Sequence, residues 1–378
     1  MLNESMNQDG TVTAQTPIAK FVMIAFGLAI LAVSYTILAG SDSTHSLPDD
    51  ALPLNSANRA PVSEQKCVAC HEDQVDRFEN APHHNTLLPG NHPAVRQRLA
   101  GKTFVDEAVD AEFRYVQRDD YVWLESNRRS KPLRVDWLFG SGHHASTPVT
   151  VVESPDGGST VLQQAVSWYP DDIVAWTLGR SPELRDLPGI QGVASPHTAQ
   201  ESRECFLCHT TWLPEDNDRL DLARAVPNVT CTRCHTQAEQ HVADPQHGSI
   251  QNWASLTPLE SVNRCGECHR RADHFTADEL VTSNKLLVRF ASASLVQSGC
   301  FKAQSPEKRL DCMTCHDPHE PASSDPGYYN QRCVSCHSGV PDAQCKSSAT
   351  TDKCISCHMV TEQVQDGLDF TDHWIRVR

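Results

Sequence analysis

The first pattern along the chain is an unbroken one. From Ile18 to Ala39, 22 residues are apolar apart from Lys20 and a few small polar residues. As a helix this run spans about 33 Å, enough for a bilayer core, so it predicts a transmembrane anchor over 18–40. Lys20 precedes the run while Asp42, Asp49 and Asp50 follow it. That asymmetry makes 1–17 a cytoplasmic tail and puts the rest on the periplasmic or other extracytoplasmic side of the inner membrane, as a single-pass protein. A cleaved signal peptide is the alternative, although the run exceeds the usual h-region and no clean A-x-A site follows. Residues 41–61 carry Pro48, Pro53 and Pro61 among Ser, Asn and Asp without periodicity, which reads as a flexible tether with a reach of roughly 25 Å.

Beyond the tether the periods change. Glu72–Ala81 places Val75 and Phe78 on one helical face and stops at Pro82. Between 101 and 195 the texture is that of strands. Ala111–Gln117 and Tyr121–Ser126 flank Arg118-Asp119-Asp120, and Val149–Glu153 and Thr160–Val166 flank the turn Ser154–Gly158. Trp123, Trp137, Trp168 and Trp176 fall in the same region. The basic run Arg128, Arg129, Lys131 and Arg134 reads as a solvated hairpin tip. Late in the chain Thr276–Ser298 has a helical pattern, with Leu280, Leu286, Leu287, Phe290 and Leu295 on its apolar side. The expected fold class is mainly irregular and α, with a small inserted antiparallel β unit (α+β) and one N-terminal transmembrane helix.

Composition changes the picture. Hydrophobic residues make up 39% of 378 and mean hydropathy is −0.44 despite the apolar N-terminal run, too little for an ordinary core of this size. The formal net charge of −16 argues against nucleic acid as a partner and favours proteins with basic docking patches.

The missing apolar volume has a candidate source. Cys-x-x-Cys-His occurs seven times and uses 14 of the 16 cysteines. The copies are Cys67/Cys70/His71, Cys205/Cys208/His209, Cys231/Cys234/His235, Cys265/Cys268/His269, Cys312/Cys315/His316, Cys333/Cys336/His337 and Cys354/Cys357/His358. This is the attachment motif of c-type haem. One helical turn sets two thiols at the separation of the porphyrin vinyl groups, and the following His lies under the iron as proximal ligand. The alternative, zinc, would need the Cys pairs to meet in twos, and seven is odd. Seven haem c groups with iron are therefore expected. The last three motif histidines, 316, 337 and 358, lie only 21 residues apart, so these haems must share walls.

Each iron's sixth position sets its role: a second His makes an electron carrier, Met raises the potential, and an open position makes an enzyme. Met1, Met6 and Met23 lie in the tail and anchor, Met313 inside a motif and Met359 beside a proximal His, so Met ligation is disfavoured. Twelve His lie outside the motifs. The distal candidates are His83 (or His84), His144 (or His143), His197 (or His247), His241, His274, His319 and His373. Their pairing with particular haems is not readable from sequence. Cys300 and Cys345 are left over and read as a disulfide in an oxidising compartment. The rival is single-thioether attachment at Cys345, with Lys346 in place of His.

Several segments resemble one family. Cys67-Val-Ala-Cys-His71 followed by Phe78 and Ala81-Pro-His83 resembles the opening of the cytochrome c-552/c-554-type haem module. Gly140-Ser-Gly-His-His-Ala145, Ser167-Trp-Tyr-Pro170, Cys231–His235 with His241, Leu310–His319, and Cys354–Met359 with Phe370–His373 are similar to segments of large multihaem relatives. The resemblance implies extracytoplasmic electron transfer, usually with bis-His haems, and supports His83, His241, His319 and His373 as ligands. Two positions depart from the family: Cys-His-Thr-Gln-Ala follows the third motif where the family has Cys-His-Gly-Pro-Gly, and Ala81 stands for Ser. Some relatives transform small nitrogen compounds.

The expectation is a membrane-anchored relay whose partners are redox donor and acceptor proteins or a respiratory complex. It divides into 1–17 tail, 18–40 anchor, 41–61 tether, a first haem module at 62–100, an inserted β-rich unit at 101–195 and a haem 2–7 domain at 196–378. The alternative is a multihaem oxidoreductase acting on a small nitrogen or sulfur oxyanion, such as nitrite or hydroxylamine, at one open haem.

Overall fold

Alternating burial builds the first sheet. In β3 (Ala111–Arg118) Ala111, Phe113 and Tyr115 point inward, and in β4 (Tyr121–Ser126) Val122 and Leu124 do the same, the period-2 signature of a sheet with one wet face. With β2 (Thr103–Asp106) and β5 (Arg129–Arg134) they form an antiparallel sheet in the order β2-β3-β4-β5. A second antiparallel sheet runs β1-β6-β7-β8-β11. Its strands are Leu87–Pro89, Trp137–Phe139, Thr147–Glu153, Ser159–Gln164 and Ala194–Pro196. One core joins the two: Phe113, Tyr115 and Leu124 from the first sheet cluster with Leu138 and Leu162 from the second. Buried polar groups pair within it: the Tyr115 hydroxyl donates to Gln164 Oε1 at 2.9 Å and Gln164 Nε2 donates to Thr150 at 3.1 Å.

The other face of the second sheet positions chemistry. Val149 and Val161 pack there against Phe206 and Leu207 of the helix Ala199–His209. Thr198 and Glu201 start that helix with a reciprocal capping box. Thr257 and Glu260 do the same for the helix Pro258–His269, with Pro258 in its first turn.

The computed structural model describes residues 60–378 apart from 154–158, 217–218, 306–307 and 339–352. The tail, the anchor, nearly all of the tether, the Ser154–Gly158 turn and Cys345 with its suggested disulfide lie outside the described residues. Three expectations need correction. Among the described residues no helix is long and apolar enough to cross a membrane. The longest, Gln65–Glu79, has 15 residues and carries Glu, Asp and Arg, short of the ~20 apolar residues a span needs. The fold class of the described residues is therefore mixed α/β with no membrane-spanning helix among them, and the single-pass inner-membrane placement is not supported. The β portion is also larger than a small insert, with nine strands in its two main sheets.

The second correction is the late helix. Thr276–Ser298 is broken into the 3-10 turn Lys285–Arg289 and the short helix Ala291–Leu295. Asn284 accepts from Leu286 N–H and starts a new turn, and Phe290 leaves helical geometry at φ −117°, ψ 76°. Leu287, Val288 and Leu295 are buried but Leu286 is exposed. The third is the extent of the basic run. Arg128 and Arg129 do stand at the β4–β5 hairpin turn, but Lys131 and Arg134 continue along the edge strand β5, where Pro132 is tolerated. Arg134 ion-pairs with Asp136 at 2.5 Å, and Arg128, itself mostly covered, with Asp186 at 3.4 Å.

Candidate functional site

Helix ends place the motifs. Cys205–His209 and Cys265–His269 form the last turns of the two capped helices, and Cys333–His337 ends the helix Pro326–His337. In Gln65–Glu79 the backbone kinks at His71, φ −127° and ψ 38°. In each the two thiols share one turn and the histidine stands where the helix ends or breaks.

These turns surround one cavity of about 2900 Å³, several times the roughly 300–1,000 Å³ of a single-ligand pocket. Its lining includes both cysteines and the histidine of each of the first six motifs. Of the seventh motif Ile355 lines it but Cys354, Cys357 and His358 do not; Cys357 is exposed and His358 Nδ1 donates to the Arg376 carbonyl at 3.0 Å.

The thiols are not arranged for a simple ion. Among the described residues no three His, Cys, Asp or Glu side chains converge as metal ligands. Burial pushes Cys205 up to about 11 and Cys234 to about 12, whereas zinc takes thiolates. Instead, thiols of different motifs meet. Cys67 contacts Cys231, Cys208 contacts Cys268, Cys265 contacts Cys312 and Cys333 contacts Cys354.

The imidazoles meet in pairs. Ring centroids are 6.3 Å apart for His71 and His241, 6.1 Å for His235 and His319, 6.2 Å for His269 and His83, and 6.2 Å for His316 and His373. Two imidazoles on opposite sides of one metal, with bonds of about 2 Å each, stand about 6 Å apart between centroids. Each pair joins a motif histidine to one from outside the motifs. All eight rings line the cavity.

Hydrogen bonds fix which nitrogen faces inward. His83 Nδ1 bonds to the Pro318 carbonyl at 3.4 Å, His373 Nδ1 to Thr371 O at 2.9 Å and His209 Nδ1 to Thr86 O at 2.8 Å. His319 Nδ1 bonds to Asp317 Oδ1 at 2.9 Å. A carbonyl or carboxylate only accepts, so Nδ1 carries the proton and Nε2 keeps its lone pair for iron. Burial also lowers the pKa of His83, His209, His235, His316 and His373. Burial first, then the neighbouring imidazoles, take His269 to about 4. Metal ligation needs this neutral form. Donor type, spacing and tautomer all fit haem c.

A match to the family described as cytochrome c554 and c-prime covers residues 186–236, which include the second and third motifs. The chain is also 22% identical over 303 residues to the dissimilatory sulfite reductase MccA of Wolinella succinogenes, covering 68% of this chain. The chain is a multihaem c-type cytochrome. Its cofactor is haem c. The cytochrome spans about two fifths of the length of that relative, 41%. It also resembles the outer cell wall cytochrome OcwA, with a TM-score of 0.48 and 14% identity over 83% of this chain and 79% of that one.

The remaining distal candidates are placed less alike. His144 and His197 line the cavity but, among the described residues, face no motif histidine at pair spacing; His144 stacks on Phe370 at 5.0 Å. His274 is buried beside Asp273, off the cavity lining, and His247 is exposed and paired with Asp244 at 3.1 Å. His84 is held by Glu64, Nε2 to Oε2 at 3.1 Å, which leaves His83 as the cavity-facing member of that pair. Sequence reasoning missed Glu64, Thr86 and Arg233. The first two act through a fold-dependent contact and leave no sequence signal. Arg233 did leave one, its position between two motif cysteines.

Proposed function

We propose that this cytochrome is a seven-haem electron relay, its haems held by the seven motifs and at least four of them bis-His ligated. The ligand pairs in this reading are His71/His241, His235/His319, His269/His83 and His316/His373. The observation that carries it is the set of four cross-cavity imidazole pairs at one common spacing. Haem c iron, when bound, supplies a reversible one-electron change whose potential follows ligation, burial and hydrogen bonding. The chain's residues supply the rest. The meeting thiols tie the first motif to the third and the second to the fourth, then the fourth to the fifth and the sixth to the seventh. Haems held by these motifs would therefore be close neighbours. Nδ1 anchors on backbone carbonyls and Asp317 hold ring orientation and keep water from competing for the imidazoles. The net charge of −16 suits donor and acceptor proteins with basic docking patches.

One observation favours a second reading, an oxidoreductase acting on a small nitrogen or sulfur oxyanion. Among the described residues no histidine ring stands opposite His209; its ring neighbour is Phe139, edge-on at 4.9 Å. His197, whose buried Nδ1 has no hydrogen-bond partner among the described residues, lines the same cavity and could serve either as ligand or as proton donor. The sulfite reductase named above supports that class of substrate. Ferric EPR separates the readings. Low-spin signals for every iron support the relay; a high-spin signal altered by added sulfite or nitrite supports the enzyme.

A further inference from the structure

The chain is strongly acidic, yet the point where three haem-binding segments meet is basic. Arg233 sits between Cys231 and Cys234, is 6% exposed and lines the cavity. Neither of its Nη atoms bonds an oxygen or nitrogen among the described residues, and the polar group its guanidinium reaches is the Cys268 thiol. Its charge acts on Cys208 of the second motif, Cys234 of the third and Cys268 of the fourth. Backbone contacts confirm how tight this junction is: Cys208 Sγ lies 3.7 Å from Glu267 O, and Cys268 Sγ lies 3.7 Å from Cys208 O.

The one buried acid nearby is shared. Glu267, 8% exposed, faces Arg233, Arg264 and Arg271 together, and its carboxylate is bonded to Arg264 Nη1 at 3.2 Å, so it does not fully cancel Arg233. Arg271 is held by Asp273, Nε to Oδ1 at 2.9 Å. Arg270 also reaches Cys208 with its charge. A buried guanidinium cannot shed its proton, and leaving it with only a share of one carboxylate is costly. Such a group persists where its field does something.

We propose that Arg233 is a potential-setting residue, a fixed buried cation that raises the reduction potentials of the haems on the second, third and fourth motifs. A positive charge beside an iron centre favours the reduced state, which carries one positive charge fewer. Low local dielectric lets that field reach all three sites. The junction thereby becomes the place in the relay where electrons collect. This rests on haems occupying those three motifs.

The test is Arg233→Gln in the haem-loaded protein at pH 8, with haem content measured beside a spectroscopic redox titration. The expected result is full haem content and at least one midpoint lowered by 59 mV or more, a tenfold change in that one-electron equilibrium. Glu267→Gln removes the opposite charge at the same point and is expected to shift midpoints upward. It carries the test if the arginine variant loads poorly. Variants with full haem content whose titrations overlay the wild type would overturn the role of Arg233 and leave the relay standing. Wild-type protein lacking haem on these motifs would overturn the relay reading itself.

Discussion

The imidazoles of His235 and His319 lie almost parallel, 10° apart, with centroids 6.1 Å from one another. One belongs to the third motif and the other follows the fifth, so the chain must fold back to bring them together. His319 is fixed by Asp317 through both its backbone N–H at 3.0 Å and its Nδ1 at 2.9 Å.

Replacing His319 by Ala removes one side of that pair. The expected outcome is that one haem changes from low-spin to high-spin while the others keep their spectra. His247→Ala, at an exposed ring outside the cavity, leaves every haem unchanged. EPR of the two ferric variants checks this; identical spectra would break the pairing.

Phe206 is fully buried between Val149 and Val161 and meets Phe139 edge-on at 5.0 Å. Phe206→Ala is expected to cost about 3–5 kcal/mol, the range for deleting a buried aromatic. It also loosens the helix carrying Cys205, Cys208 and His209. Urea unfolding reports the first effect, and a changed spectrum of the second haem reports the other.

The apolar core is unevenly distributed. Its largest cluster has 18 buried residues, all between Leu88 and Ala194, whereas the cluster around Val262, Leu295 and Phe301 has three. Haem-free protein is therefore expected to keep a protease-resistant β portion and to be cut throughout the C-terminal half. Limited proteolysis with fragment mapping decides it; uniform resistance would show that the motif region folds without cofactor.

Acid should destabilise the protein in a defined window. Burial, then the neighbouring imidazoles, lower His269 in the fold from 6.5 to about 4. Between those values the unfolded chain binds more protons, so stability is complete above pH 6.5 and is lost as pH falls toward 4. His83, His209, His235, His316 and His373 shift in the same direction. His84, raised first by its hydrogen bond to Glu64, works oppositely and is a single group. The urea midpoint is expected to be lower at pH 5 than at pH 7; an unchanged midpoint would contradict the burial of these rings as neutral ligands.

What the sequence made legible follows from how local each signal is. Cys-x-x-Cys-His is written within five residues, and the alternation over Ala111–Arg118 and Tyr121–Ser126 needs only neighbouring positions. The antiparallel pairing of Val151 with Val161 was likewise foreshadowed by the turn residues between them. The apolar pattern of Thr276–Ser298 misled, because Asn284 and Phe290 interrupt a helix that periodicity alone would continue. Ligand pairing was illegible for a different reason. His83 meets His269, and His71 meets His241, only through tertiary folding. The extent of the β portion was underestimated because short strands such as Leu87–Pro89 and Trp137–Phe139 are too brief to show a period.

The central claim is that porphyrin irons on seven paired-cysteine motifs form the interior of this molecule. An intact-mass spectrum of the mature protein tests it most directly. The account predicts a mass increased by seven covalent haem groups. Fewer adducts, or bare thiols that bind zinc, would contradict it.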